Sequence, residues 1–130
     1  MASKTNVGKI GEALAAEYLM KKGYAVLHRN HRIGHLETDI ICETETHLLF
    51  VEVKSRTDLG GTSRYGRPAA AVDERKKAHL LAAAEAYLRE NPTEKKPRID
   101  VIEVYLIRYG GEYVLSPKGI KHIENAVWAN

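Results

Sequence analysis

Acidic and basic side chains between residues 36 and 55 have the types and the spacing of a cation site. Asp39 lies in the segment LETDIIC, and Glu52 and Lys54 lie in the segment LLFVEVKS. Carboxylate oxygens are the ligands that hard divalent cations such as Mg²⁺ and Mn²⁺ prefer. A lysine beside them would supply fixed positive charge to a phosphate or to an attacking water. The pattern therefore predicts a Mg²⁺ or Mn²⁺ site at Asp39 and Glu52, next to Lys54.

The two segments are predicted to form a β-hairpin, which would place their charged residues side by side. A four-residue loop from Thr44 would pair Ile41 with Phe50, apolar against apolar. The same register sets Asp39 opposite Glu52 on one face of the sheet. Two carboxylates in that arrangement repel each other unless a cation, a raised pKa or solvent relieves them. The alternative is that these charges are only the solvated face of a hairpin.

Two further carboxylates are candidates for the same site. Glu12 follows Gly11 on the predicted first helix, on a side that otherwise carries small and apolar residues. An unpaired carboxylate close to a sheet is costly, so Glu12 is expected to approach the same cation. Glu37 falls opposite Lys54 in the predicted register and is a supporting candidate.

Hydrophobic periodicity predicts the elements that must position these residues, in the order α-β-β-β-α-β-β. This order predicts an α/β fold with a mixed central sheet flanked by helices. The predicted helices and strands are Thr5–Lys22, a strand from Tyr24, Leu36–Cys42, Leu48–Ser55, Asp73–Glu90 with Asp73 as N-cap, Ile99–Ile107 and Glu112–Leu115. Residues 118–128 fit either a short helix or a strand. Residues 56–71 are rich in glycine and lack a period, which predicts a mobile loop.

Length and composition set the class of protein. The chain has 130 residues, which is the size of a single domain, and 44% of them are hydrophobic. Its one cysteine excludes an internal disulfide, and no stretch has the roughly 18–20 apolar residues of a membrane span or an apolar signal core. The expectation is a cytoplasmic domain without a membrane partner. A net charge of +3 permits a nucleic-acid partner without requiring one.

The residues above, taken with their order along the chain, resemble the PD-(D/E)XK nuclease superfamily. Within it the sequence is most similar to the YraN family of endonuclease-like bacterial proteins. The matching stretches are GEALAAEYLMKKGYAVLHRNHR, LETDII, LLFVEVKSR, AVDERKKAHLLAAAEAYL, PRIDVIEVY and IKHIENAV. They span about Gly8 to Val127. One departure is Leu36, which stands before Glu37 where the family usually has glycine.

The resemblance implies a restriction-endonuclease-like αβββαβ core, similar to that of archaeal Holliday junction resolvases. It implies that Asp39 and Glu52 bind Mg²⁺ or Mn²⁺, with Glu12 as a further ligand directly or through water and with a contribution from the Val53 carbonyl. Lys54 would orient or activate the attacking water. The implied activity is hydrolysis of phosphodiester bonds in DNA, with branched DNA as one substrate class. Resolvases of similar fold act as dimers, which leaves a homodimer open here.

Basic residues around the predicted site are candidates for contacts with nucleic acid. They are Arg32 at a strand end, Arg56, Arg64 and Arg67 in or beside the glycine-rich loop, and Lys76 at the start of the second helix. A helix N-terminus favours anions and disfavours a lysine, which suggests a phosphate role for Lys76. The alternative for all five is a solvated surface.

Other functions remain open at this level. A non-catalytic module that binds nucleic acid or a DNA-repair partner would use the same fold, as would an enzyme acting on a small phosphoester. His28, His31, His35 and Cys42 suggest a zinc site, but their spacing fits no standard structural zinc pattern. Cys42 is predicted to face the core, opposite in direction to Asp39.

Overall fold

A computed structural model describes residues 6–58 and 73–127, which form two helices and a five-stranded sheet. The elements are α1 (Asn6–Lys21), β1 (Ala25–Ile33), β2 (Leu36–Glu43), β3 (His47–Thr57), α2 (Glu74–Glu90), β4 (Lys96–Tyr109) and β5 (Glu112–Ile123). The predicted α/β class and element order are confirmed, and α-β-β-β-α-β is the core of a restriction-endonuclease-like fold. Asp73 is the N-cap of α2, as predicted, and its side chain accepts a hydrogen bond from the Lys76 amide.

The strands β3, β4 and β5 are longer than their sequence patterns predict. β3 continues to Thr57, so Arg56 belongs to this strand and not to the predicted loop. Backbone pairing with β4 extends to Thr57 opposite Leu106, and this pairing holds the extra residues in the sheet. Residues 59–71 of the predicted loop lie outside the described residues. The ambiguous C-terminal segment is a strand as far as Ile123.

The sheet has the strand order β1-β2-β3-β4-β5 and is mixed. β3 and β4 are parallel, and the other neighbours are antiparallel. Because a parallel pair needs a crossover, α2 lies in the connection between β3 and β4. β4 is a central strand covered on both faces, as its apolar sequence predicts.

Alternation along the strands divides the interior into two layers. On one face α1 buries Ala15, Ala16 and Leu19 against a set of sheet residues that includes Ile40, Cys42, Leu49 and Val51. On the other face α2 buries Leu80, Ala84 and Tyr87 against Ile41, Leu48, Phe50 and Ile99. Neighbouring residues of β2 and β3 therefore point alternately toward α1 and toward α2. The prediction that Cys42 faces the core is confirmed, and burial raises the pKa of its thiol to about 12.

Helix α1 packs directly on β3 through a glycine. A Cβ atom on Gly11 would lie 1.9 Å from Ser55 Oγ and 2.9 Å from Ser55 Cβ. Only glycine therefore allows this close approach, which brings the start of α1 to the strand that carries Glu52 and Lys54. Neither helix in the described ranges is long and apolar enough to cross a membrane.

Candidate functional site

The site forms where β2 and β3 stop pairing. The predicted register is present, since Ile41 lies opposite Phe50, but the ladder ends at Ile40 opposite Val51. Beyond that point the carboxylate of Asp39 accepts a hydrogen bond from the Val53 amide at 2.8 Å. The expectation that Asp39 and Glu52 would be paired across the ladder is therefore wrong in detail. The strands separate, and the Asp39 side chain takes over the hydrogen bonding of the next backbone group.

Glu52 lies on the α2 side of the sheet, next to Asp39. Its side chain is 12% exposed, and its Oε2 atom lies 3.1 Å from Lys76 Nζ. Burial raises the pKa of Glu52, and the negative charge of Asp39 raises it further. The positive charges of Lys76 and Lys54 oppose this effect without cancelling it. The structure therefore brings Asp39, Glu52, Lys54 and Lys76 into one electrostatically coupled group.

A third acid on this face lies on β4. Glu103 is the backbone partner of Lys54 in the parallel ladder, and its side chain is fully buried. Tyr105 donates a hydrogen bond to Glu103 Oε1 at 2.6 Å, and Arg56 Nη2 lies 3.4 Å from Oε2. Sequence reasoning missed Glu103, although an acid inside the apolar run IDVIEVY was a usable signal. Glu103 therefore holds the side chain of Arg56, which lies two residues after Lys54 on β3.

Glu12 is buried, but it lies on the other side of the sheet. It is 3% exposed, and its Oε1 atom lies 4.0 Å from Arg29 Nη2. Arg29 lies opposite Ile40, whose side chain is part of the α1-side core, so alternation places Arg29 on that side and Asp39 on the other. Within residues 6–58 and 73–127, no three histidine, cysteine, aspartate or glutamate side chains are grouped closely enough to hold a metal ion. The expected convergence of Glu12 with Asp39 and Glu52 is absent here.

The remaining sequence candidates are dispersed around this group. Glu37 forms an ion pair with Arg32 at 3.7 Å, across the β1–β2 ladder and not with Lys54. Arg56 points to Glu103, and Lys76 points to Glu52. Arg64 and Arg67 lie outside the described residues. Lys76 is a basic candidate that reaches a predicted metal ligand, Glu52.

The zinc alternative finds no support in the described parts of the chain. The rings of His28 and His31 are 4.9 Å apart, and both contact Tyr87 of α2. Cys42 is in the core on the α1 side, so the sheet lies between it and these rings. Asn30 lies between these histidines in β1 and has φ 54°. This left-handed backbone conformation changes the strand's alternation, so that His28 and His31 contact the same helix. Their packing against Tyr87 accounts for their proximity.

The donor set fits a hard divalent cation. Mg²⁺ usually keeps several water ligands and takes one or two carboxylates from the protein, so Asp39 and Glu52 suffice without a third acid. Their mutual repulsion in a partly buried place is the condition that a cation relieves. A soft metal has no thiolate or imidazole ligand in this group.

Comparison with known proteins places the chain in a family. Residues 11–104 match the family described as "Uncharacterised protein family UPF0102". A UPF0102 protein of Dehalococcoides mccartyi is 42% identical over 80% of this chain and 84% of its own length. Others are 38% identical in Caldanaerobacter subterraneus, over 95% and 96% of the two chains, and 40% identical in Chlorobium chlorochromatii, over 97% and 94%. The chain therefore belongs to the UPF0102 family.

Proposed function

We propose that this protein is a metal-dependent nuclease of the PD-(D/E)XK type that hydrolyses phosphodiester bonds in DNA. The observation that carries the proposal is the Asp39–Glu52 pair at the point where β2 and β3 separate, with Lys54 on the same face. Two carboxylates and a lysine on one face of a sheet are the groups that phosphodiester hydrolysis with Mg²⁺ or Mn²⁺ needs. The family resemblance adds branched or structured DNA as the favoured substrate class.

Each side chain has a role that follows from its position. Asp39 and Glu52 would hold Mg²⁺ or Mn²⁺, which when bound supplies a more acidic water and neutralises charge on the phosphate. The Val53 amide donates a hydrogen bond to Asp39 Oδ2, so the backbone of β3 orients this carboxylate. Lys54 would orient the attacking water or contact the phosphate. Arg56, held by an ion pair with the buried Glu103, lies two residues further along the same strand.

The nuclease proposal predicts metal-dependent cleavage that is lost when these residues are changed. With Mg²⁺ or Mn²⁺, the wild-type protein should cut at least one substrate in a panel of single-stranded, flapped and four-way-junction DNA. Asp39→Asn, Glu52→Ala and Lys54→Ala should each lower the cleavage rate by about 100-fold or more, because each removes a group acting on the reacting phosphate. Lys77→Ala is the matched control, since Lys77 pairs with the exposed Glu74 and should leave the rate unchanged.

A non-catalytic DNA-binding module is the second candidate, and one observation favours it. Lys76 already forms an ion pair with Glu52, so the acidic pair is partly balanced by the protein itself. If the protein only binds DNA, the wild type would bind branched DNA with an affinity that falls steeply with salt, but it would cut no DNA with either metal. That result would overturn the nuclease proposal. Equal cleavage by wild type and Glu52→Ala would overturn it as well.

A further inference from the structure

Lys76 occupies an unusual position for a lysine. It lies in the first turn of α2, where the amide groups and the helix dipole disfavour positive charge. The Asp73 cap fixes this turn by accepting a hydrogen bond from the Lys76 amide at 2.8 Å. From there the side chain reaches Glu52, with Nζ at 3.1 Å from Oε2. The next residue, Lys77, pairs instead with Glu74 on its own helix at 3.4 Å.

The Lys76 ammonium contacts the same carboxylate that the proposed metal would use. A Mg²⁺ ion binds carboxylate oxygens at about 2.0–2.1 Å. An ammonium and a divalent cation on one carboxylate repel each other strongly in a partly buried place. The Lys76 side chain is 40% exposed, whereas the Glu52 side chain is 12% exposed. Lys76 can therefore leave toward solvent, while Glu52 stays in place.

We propose that Lys76 is a resident counter-cation that competes with the divalent metal for Glu52. This inference rests on the proposed function, because it assumes that Glu52 binds the metal. In the metal-free protein Lys76 forms an ion pair with Glu52 and weakens the repulsion between Glu52 and Asp39. In the loaded protein its ammonium is displaced to the solvent side of the site, where the N-terminus of α2 also attracts a phosphate. The protein thus couples metal binding to the exposure of a phosphate-binding group.

Titration calorimetry with Mn²⁺ tests the competition without any substrate. Lys76→Met should bind Mn²⁺ about tenfold more tightly than wild type, because a competing charge has been removed. Lys77→Met makes the same change of charge one residue away and should stay within about twofold of wild type, since an exposed charge that does not contact Glu52 acts only weakly. Lys76→Arg keeps the charge and should not show the gain.

The outcomes separate the two proposals. The competition is supported if Lys76→Met is the one protein that binds Mn²⁺, or if it binds Mn²⁺ more tightly than Lys77→Met does. Equal affinity in all the proteins overturns the competition and leaves the metal site standing. Absence of Mn²⁺ binding in every protein overturns the metal site and the competition together.

A second measurement follows Lys76 itself. Acetylation of lysines by an amine-reactive reagent, read by mass spectrometry, should modify Lys76 slowly in the metal-free protein because its ammonium is engaged with Glu52. Saturating Mn²⁺ should raise the rate at Lys76 several-fold and leave the rate at Lys77 unchanged. An unchanged or lower rate at Lys76 in metal-loaded protein would overturn the displacement.

Discussion

Glu52 is a nearly buried carboxylate with a second carboxylate as its neighbour, so its ionised form is costly in the folded protein. Burial and the charge of Asp39 raise the pKa of Glu52 above the ordinary value of 4.5, against the opposing effect of Lys76 and Lys54. Between 4.5 and the raised pKa the folded state binds more protons than the unfolded chain. The unfolding free energy contributed by this group therefore falls as the pH rises through that interval.

Replacing this glutamate with its neutral isostere should stabilise the metal-free protein. In buffer with a chelator at pH 7 to 8, Glu52→Gln should unfold at a higher urea concentration than wild type, because the glutamine carries no charge that is desolvated and repelled. The stability that Glu52→Gln gains over wild type should become smaller as the pH is lowered to 4. Glu85→Gln, on the exposed side of α2, is the control and should show no such pH-dependent gain. A destabilised Glu52→Gln at pH 8 would contradict the electrostatic account.

At this scale the sequence predicted one part of the site and missed another. Strand alternation and the pairing of Ile41 with Phe50 were enough to place Asp39 and Glu52 near each other. The Lys76 contact could not be predicted, because the position of α2 over the sheet depends on how Leu80, Ala84 and Tyr87 pack. The separation of Glu12 from Asp39 and Glu52 could not be foreseen either, because helical periodicity does not say which face of a sheet a helix covers.

Gly11 of α1 packs closely on Ser55 of β3, the strand that carries Glu52 and Lys54. Gly11→Ala should lower the unfolding free energy by about 1–2 kcal/mol, since overpacking exceeds the gain in helix propensity. Ser55→Ala removes the Oγ atom that lies nearest to the added methyl. In the double variant Gly11→Ala/Ser55→Ala, the loss should be smaller than the sum of the single losses, with a coupling of about 1 kcal/mol. Urea unfolding of wild type, the two single variants and the double variant gives this double-mutant cycle. If the losses of unfolding free energy simply add, the contact between Gly11 and Ser55 is contradicted.

The element boundaries show where local patterns stop being informative. The N-cap Asp73 and the ends of β2 follow from local chemistry, and the structure has them within a residue or two of the prediction. The extra length of β3 comes from parallel pairing with β4, which is a contact between segments about 50 residues apart. For the same reason the sequence left residues 118–128 ambiguous between a helix and a strand. The strand form of this segment depends on the partner β4, where Lys121 lies opposite Glu103.

At the scale of the whole molecule, a buried acid connects segments that are distant in the chain. Asp100 of β4 is fully buried and receives hydrogen bonds from Arg98 and from the Asn125 amide. Its Oδ2 atom lies 2.7 Å from Nε2 of His122, whose Nδ1 atom lies 3.0 Å from the Tyr18 hydroxyl. The network therefore joins α1, the middle of the sheet, the edge strand β5 and the C-terminal turn. No spacing rule in the sequence predicted it, because its members meet only after the sheet has formed.

Loss of this charge should destabilise the entire domain. Burial acts to raise the pKa of Asp100, but the hydrogen bonds of His122, Arg98 and the Asn125 amide outweigh it and keep the pKa below 3.8. The stability that the Asp100 carboxylate contributes is therefore present above pH 3.8 and is lost as the pH falls through its lowered pKa in the folded protein. Asp100→Asn should lower the unfolding free energy by about 3–5 kcal/mol at pH 7, because Arg98 and His122 lose the buried carboxylate that they contact. Glu124→Gln removes an exposed carboxylate 3.8 Å from the same arginine and should cost less than about 1 kcal/mol.

Urea unfolding followed by circular dichroism at pH 7 and pH 3 measures both variants. The difference in unfolding free energy between wild type and Asp100→Asn should be smaller at pH 3 than at pH 7. Similar losses for the two variants would mean that Asp100 does not stabilise the fold in this way.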